Sequence, residues 1–484
     1  MADRLRVVLG AVMIQLVLGT VYGYSIFWQP LQAEVGLPQT QTNYAFAICI
    51  LSFAVVMVIG GRVQDVLGPR LPAIVGGILL GAGFLIAGLM EHAVVFFLAH
   101  AAFTGAVAIV LLMLYHALFG GLDEQQVPVL RYVPLGIVAA VVTAGVVLSD
   151  QYVGRSEQID RLFLLWGTVG FLAGAGIGFA YVCPIAALVK WFPRHKGLVS
   201  GIAVAGFGFG AYIFSHKHVP FSAENFIHSK GIVSLFLVHG VVAAVVVILG
   251  ALLLRNPPGP AAATVSGGGA SEQGWQETLR RPAFYVLWLM FFSGAMAGLM
   301  VIGILKPFAG TQLLAAAGGD AAIDEGARAD LLARGVEAVG WLAMFNAIGR
   351  IIWGLVSDRV GRTAAFIAMF LLQAAMLATL GLMRSEFSLA VAASLIGFNF
   401  GGNFALFPSA TADLFGAKNL GANYGWVFTA YGVAGVVGIA AGNFALQQTG
   451  SYAAGFLLAS VLCIISAALA AGLGISHRRA TVPT

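Results

Sequence analysis

One arginine stands apart as a chemical group. Arg350 sits in the stretch Gly340-Trp-Leu-Ala-Met-Phe-Asn346-Ala-Ile-Gly-Arg350-Ile-Ile-Trp-Gly354-Leu-Val-Ser-Asp358, eight residues before the point where an apolar run ends. At ~1.5 Å per residue this places it ~12 Å inside a hydrocarbon layer ~30 Å thick, near the midplane. A charge at that depth costs ~2.5–3.5 kcal/mol on insertion scales. The functional reading is an anion site facing a central cavity. The alternative is a structural arginine, capped by backbone carbonyls or paired with a loop acid.

A second constellation occurs twice. Gly61-Arg-Val-Gln-Asp65-Val-Leu-Gly68-Pro-Arg70 matches Gly354-Leu-Val-Ser-Asp358-Arg-Val-Gly361-Arg362-Thr363. The glycines let two helix ends approach, and an aspartate can face the positive N-terminal end of a neighbouring helix. Such a contact can break and re-form, which suits a gate, so Asp65, Arg70, Asp358 and Arg362 are the candidate gating residues. The repeat continues downstream. Gly178-Phe-Ala-Tyr181-Val-Cys-Pro184 parallels Gly401-Gly-Asn-Phe404-Ala-Leu-Phe-Pro408 within one residue, and Lys196-Gly197-Leu-Val-Ser-Gly201 parallels Leu420-Gly421-Ala-Asn-Tyr-Gly425. On that register Phe207 corresponds to Tyr431.

The elements that must carry these residues follow from composition. The 484 residues are 60% hydrophobic and 9% charged, and the mean hydropathy is +0.93. This is the composition of an all-α polytopic membrane protein. Fourteen spans are predicted, at about 5–28, 43–61, 71–90, 93–119, 131–150, 161–190, 197–215, 231–254, 283–305, 336–357, 363–383, 387–411, 421–445 and 452–475. Residues 255–282, with Asn256-Pro-Pro-Gly-Pro260, read as a polar linker between an N-terminal half (1–254) and a C-terminal half (283–475), with 476–484 as a tail. Asp65 to Tyr181 is about 70 residues longer than Asp358 to Phe404, room for two spans of ~20 residues. A hairpin inserted at 93–150 therefore leaves two six-helix bundles; it reads as a peripheral helical hairpin, with a contact surface for a second subunit as the alternative.

Sixteen Lys and Arg fall on the side of the N-terminus and eight on the other, with Arg350 completing the 25. That bias predicts cytoplasmic N- and C-termini in a cell (inner) membrane. The net charge of +5 reflects this asymmetry, not nucleic-acid binding. All twenty acids fall in loops or at span ends, so no buried carboxylate offers a proton relay. His100, His116 and His239 lie in spans and read as helix-packing residues. Cys49, Cys183 and Cys463 show neither metal nor disulfide spacing. No phosphate loop, metal cluster or catalytic triad supports an enzyme, and no cofactor is expected.

The paired turns resemble the major facilitator superfamily. More narrowly, Trp191-Phe-Pro-Arg-His-Lys-Gly197, Asn403-Phe-Ala-Leu-Phe-Pro408-Ser, Asn423-Tyr-Gly425 and Arg281-Pro-Ala-Phe-Tyr-Val-Leu-Trp288 resemble the oxalate/formate antiporter family, with monocarboxylate transporters as more distant relatives. The resemblance implies that Arg350 binds a carboxylate, for which its planar fork is suited. It also implies that Tyr22, Tyr181, Phe207, Phe400 and Phe404 line the cavity; helix packing is the alternative for each. The oxalate exchangers carry a lysine where Tyr431 stands here. Relatives that pair an acid with the arginine place it at Asn346.

The expectation is an alternating-access secondary transporter in contact with membrane lipid, moving a small monocarboxylate such as formate, acetate or lactate. Arg350 would bind the carboxylate, Tyr22, Tyr181 and Tyr431 would orient it, and Phe207, Phe400 and Phe404 would wall it. An oxalate/formate-type dicarboxylate antiporter and a transporter-like anion receptor are the alternatives.

Overall fold

Backbone N–H and C=O groups inside a bilayer must be satisfied within their own segment or by buried neighbours, so apolar runs of this length become helices. The computed structural model describes residues 2–90, 108, 157–215, 219–258, 272–318 and 324–474. In chain order these form α1 (Ala2–Leu18), a 3-10 segment (Gly19–Phe27), α2 (Trp28–Val35), α3 (Gln39–Leu67), α4 (Arg70–Ala87), α5 (Glu157–Leu165), a π segment (Trp166–Leu172), α6 (Ala173–Trp191), α7 (Lys196–Ser215), α8 (Ala223–Lys230) and α9 (Ile232–Leu253). Then come α10 (Trp275–Leu279), α11 (Pro282–Ala316), α12 (Glu325–Val360), α13 (Arg362–Leu380), α14 (Glu386–Phe415), α15 (Leu420–Thr449) and α16 (Ala453–Leu473). Among the described residues twelve helices are long and apolar enough to cross a membrane. The expected spans 93–119 and 131–150, with the hairpin they would form and any subunit contact there, lie outside the described residues. So do residues 259–271 of the linker and the tail.

Two spans expected as simple helices are not uniform. The first changes from α to 3-10 form at Gly19. The span at Arg161–Trp191 contains the π segment, whose Gly170 carbonyl lies 3.4 Å from Ser52 Oγ of α3. Pro184 lies inside α6 and Pro408 inside α14, the pair already matched by the internal repeat.

α1, α3, α4, α6, α7 and α9 pack mainly on one another, and so do α11 to α16. The two sets meet chiefly through α3 against α15 and α7 against α12. The second crossing is tight. A Cβ on Gly201 would collide with the carbonyl of Arg350, so this glycine lets α7 lie against the backbone that carries the arginine.

Gly201→Val should therefore force α7 and α12 apart at the depth of Arg350. Overpacking of this kind costs ~1–3 kcal/mol. A lowered Tm of the detergent-purified protein, with poorer monodispersity on gel filtration, is the expected result.

Candidate functional site

Arg350 is 0% exposed. It projects from α12 into the seam between the two helix sets. Its Nε donates to Asn346 Oδ1 at 3.0 Å, one turn back on the same helix, and Nη1 donates to the Val204 carbonyl of α7 at 2.7 Å. Nη2 is buried with no hydrogen-bond partner among the described residues, and the Tyr22 hydroxyl lies within electrostatic reach of the guanidinium. No carboxylate pairs with the arginine among the described residues. A buried donor left unmatched carries a desolvation cost of ~1–3 kcal/mol, more when charged. The protein thus matches Nε and Nη1 and leaves Nη2 unmatched.

Aromatic rings enclose this cation. The guanidinium carbon lies 4.5 Å from the centroid of Phe404 and 5.5 Å from that of Phe207, within cation–π range. Phe207 meets Tyr22 and Tyr181 edge-on at 5.0 and 5.6 Å. Phe404 meets Phe400 and Tyr431 at 5.2 and 5.5 Å. Tyr22 closes the ring of contacts from the other side, its hydroxyl 2.5 Å from that of Tyr431. All seven residues singled out in the sequence are therefore contiguous, drawn from α1's 3-10 extension, α6, α7, α12, α14 and α15. Phe53 and Phe428, which the sequence did not flag, fill the remaining space beside Tyr181, at 5.0 and 5.3 Å. Phe428 lies three residues before Tyr431 and shares its helix face, which was the available signal.

The paired turns lie together at one end of the bundle. Asp65, on α3, accepts from the N–H groups of Gly421 and Ala422 at 3.1 and 2.7 Å. Asp358, on α12, accepts from Gly197 and Leu198 at 2.9 and 2.8 Å. Each aspartate of one helix set thus sits on the N-terminus of a helix of the other set, where exposed N–H groups and the helix dipole favour an anion. Gly61 approaches Gly421 so closely that a Cβ would strike its carbonyl. Arg362 donates to Asp358 at 2.8 Å and to Asp413 at 2.9 Å, and Lys196 reaches the other oxygen of Asp413 at 2.8 Å. Lys190 lies 3.9 Å from Asp65. Arg70 has a different partner from the other three gating candidates: its Nε donates to the Leu254 carbonyl at 2.6 Å, anchoring the start of the linker. Asp413 and Lys190 were not singled out in the sequence. They are nine residues beyond Phe404 and Tyr181, so the internal repeat pairs them and could have found them.

The end of the linker straps this face. Gln273 N–H donates to the Phe415 carbonyl at 3.0 Å, and its own carbonyl accepts from Asn419 and Asn423 at 2.9 and 3.1 Å. Glu272 accepts from Lys418 N–H at 2.8 Å. Trp275 stacks on Trp426 at 5.9 Å, and Arg62 of α3 lies 5.7 Å from the ring of Trp275. The strap is bonded to the α14–α15 turn and meets the first helix set at the Arg62–Trp275 contact.

Comparison with known proteins follows from this geometry. The sequence model of the Major Facilitator Superfamily matches residues 129–318 and 331–482. The chain belongs to the major facilitator superfamily. It is a multi-pass membrane transporter, not an enzyme. An Oxalate:formate antiporter of Oxalobacter formigenes is 28% identical over 70% of this chain and 74% of its own length. An uncharacterized MFS-type transporter of Escherichia coli (strain K12), YhjX, is 25% identical over 90% and 86%. Apicoplast pyruvate carrier 1 of Toxoplasma gondii is 28% identical over 61% and 62%. Among solved structures, the E. coli fucose:proton symporter superposes with a TM-score of 0.58 at 13% identity, covering 97% of this chain and 98% of that one. A bacterial homologue of the iron transporter ferroportin gives 0.58 at 16%, covering 98% and 100%. These two show the fold.

Removing the charge from one aspartate should loosen the closed end of this transporter. A hydrogen bond to a charged group contributes ~1.5–3 kcal/mol, so Asp65→Asn should raise the open population about tenfold or more. Ser409 is buried there, its Oγ 3.4 Å from that of Ser200 across the seam. Maleimide labelling of Ser409→Cys, with the native cysteines replaced, should accelerate by that factor in the Asp65→Asn background.

Proposed function

We propose that this chain is a secondary transporter for small monocarboxylates, working by alternating access, with its Asp65–Asp358 end, both termini and the linker on the cytoplasmic side of the cell (inner) membrane. The halves at 1–254 and 283–475 rock about the buried site. One observation carries the reading. A single guanidinium with one unoccupied nitrogen, Nη2, stands in an aromatic enclosure that contains no second cation among its described residues. The matched relatives include proteins named for oxalate with formate and for pyruvate, which supports a carboxylate as substrate.

The roles follow from what each group can do. Nη2 of Arg350 receives a carboxylate oxygen, and Tyr22 and Tyr431, each carrying a hydroxyl, supply donors beside it. Tyr181 orients the substrate, and Phe207, Phe400 and Phe404 exclude water and fit the apolar part of the acid. Asp65, Asp358 and Arg362 form the gate, and Arg70 holds the linker against the first half. With Asn346 and not an acid one turn from Arg350, the arginine keeps its full charge for the substrate. Anion exchange, or movement of an acid that brings its own proton, is the mode this supports.

Uptake of labelled C1–C4 carboxylates into proteoliposomes tests the reading. Formate, acetate or lactate should accumulate, and Arg350→Lys, which keeps the charge but loses the planar fork, should lose at least about 90% of uptake while the protein still folds. Wild-type uptake by that variant would remove Arg350 from the site.

Charge counting gives a second expectation. A second carboxylate entering beside one arginine would be unpaired, at a cost of several kcal/mol, and each ~1.4 kcal/mol is tenfold in affinity. Monocarboxylates should outcompete oxalate by at least ~10-fold, and Tyr431→Lys should narrow or reverse that preference. Oxalate as the best competitor of the wild type would instead establish dicarboxylate exchange.

A further inference from the structure

The 3-10 segment Gly19–Phe27 is physically anomalous. Its hydrogen-bond geometry is poorer than that of an α-helix, and runs beyond three or four residues are uncommon. Nine residues of it, beginning inside a membrane span that ends at Tyr24, need support from outside, and three ties provide it. A Cβ on Gly19 would collide with the Phe207 carbonyl, so the segment begins pressed against α7. Near its middle, the Tyr24 hydroxyl donates to the Thr42 carbonyl at 2.8 Å. The remaining tie is at Thr20, whose Oγ1 donates to the Val17 carbonyl at 2.7 Å and lies 3.2 Å from Nε2 of His239.

That last pair fixes a tautomer. A threonine hydroxyl has one proton, and here it is spent on Val17. The bond to the imidazole must then be donated by Nε2–H of His239. This histidine is buried in α9, enclosed by Phe84 and Phe214 at 4.5 and 4.7 Å, and stands outside the aromatic cluster around Arg350. Its described neighbours are a hydroxyl and two phenyl rings, which suit a fixed donor and not a link in a proton chain. A small apolar cavity lies against the same stretch, bounded by Thr20, Val21, Tyr24, Phe27 and Cys49. The segment therefore has a disfavoured form and ties that hold it there. Tyr22 rides on it, two residues beyond Thr20.

We infer that His239 is a positioning residue: its Nε2–H, donated to Thr20, holds Gly19–Phe27 in the register that presents Tyr22 to Tyr431 and Arg350. Loss of that bond lets the segment relax toward α pitch. The rise per residue falls from ~2.0 to ~1.5 Å and the turn from ~120° to ~100°, so Tyr22, three residues beyond Gly19, shifts by ~1.5 Å and rotates by ~60° about the axis, which carries its hydroxyl away from that of Tyr431. The inference rests on the carboxylate reading only for what Tyr22 closes over.

The test separates the two. In a protein with Cys49, Cys183 and Cys463 replaced by alanine and Tyr22→Cys introduced, the alkylation rate at position 22 reports the segment directly. His239→Leu should raise that rate about fivefold, the weight of one neutral hydrogen bond. Thr20→Val should do the same from the other side of the bond, and the double variant should add nothing more. His239→Gln, which restores an N–H donor, should return the rate to that of the parent. In a second arm with native Tyr22, His239→Leu should raise KM for carboxylate uptake several-fold with kcat nearly unchanged, and His239→Gln should rescue it. Equal labelling of the Leu and Gln variants would overturn the inference. The expected labelling pattern in a protein that moves no carboxylate would leave the positioning role standing and remove the substrate reading. Should His239→Leu fail to fold, Thr20→Val reads the same bond.

Discussion

The guanidinium of Arg350 is the group on which the rest of the arrangement depends. A cation at mid-membrane depth is tolerated only when its donors are matched and its faces covered. Asn346 and the Val204 carbonyl match two nitrogens, and the rings of Phe207 and Phe404 cover the charge. The Val204 bond runs from one helix set to the other. On the proposed reading, the residue that holds the anion is thus also one of the ties between the two helix sets, and binding and closure would share one group, the coupling that alternating access requires.

The opposite demand is met at the gate. There the contacts are charge-assisted and buried, the side chains of Asp65 and Asp358 being only 5% and 6% exposed, so they lose their strength once water enters between the ends. Asp65 and Asp358 each grip helix N-termini of the other set with two N–H bonds. The two grips are related by the internal repeat, but their supports are not. Around Asp358 the charges form a chain through Arg362, Asp413 and Lys196, whereas Asp65 has Lys190 at longer range. The strap adds a third element on the Asp65 side, where Trp275 and Gln273 lie over the turn that Asp65 holds.

Much of this was legible in the sequence, for physical reasons. A lone charge in a long apolar run and a motif occurring twice at matched positions are strong signals because each is costly or improbable otherwise. They led to Arg350 and to both aspartates, whereas the aromatic positions that the fold brings together came from the family resemblance. What stayed hidden depends on distances between elements. Nothing local says that α1 gives way to 3-10 form at Gly19, because the reason lies in the Phe207 backbone and in His239. The sequence could mark Asn346 as the place of a missing acid, but not that its carbonyl oxygen would take the arginine's Nε. Arg70 carries the same motif signal as Asp65 and yet bonds Leu254 in its own half, since a motif fixes where a residue stands and not which neighbour it finds.

The prolines inside α6 and α14 have a consequence for the site. Pro184 and Pro408 have no N–H to give, so the carbonyls of Ala180 and Phe404 lose their helical donors. Both carbonyls lie in the stretches that carry Tyr181 and Phe404, and the two come from equivalent places in the repeat. A helix turn without its ladder bond bends at little cost. Each half therefore has a place, level with the aromatic cluster, where its helix can flex without breaking a backbone hydrogen bond.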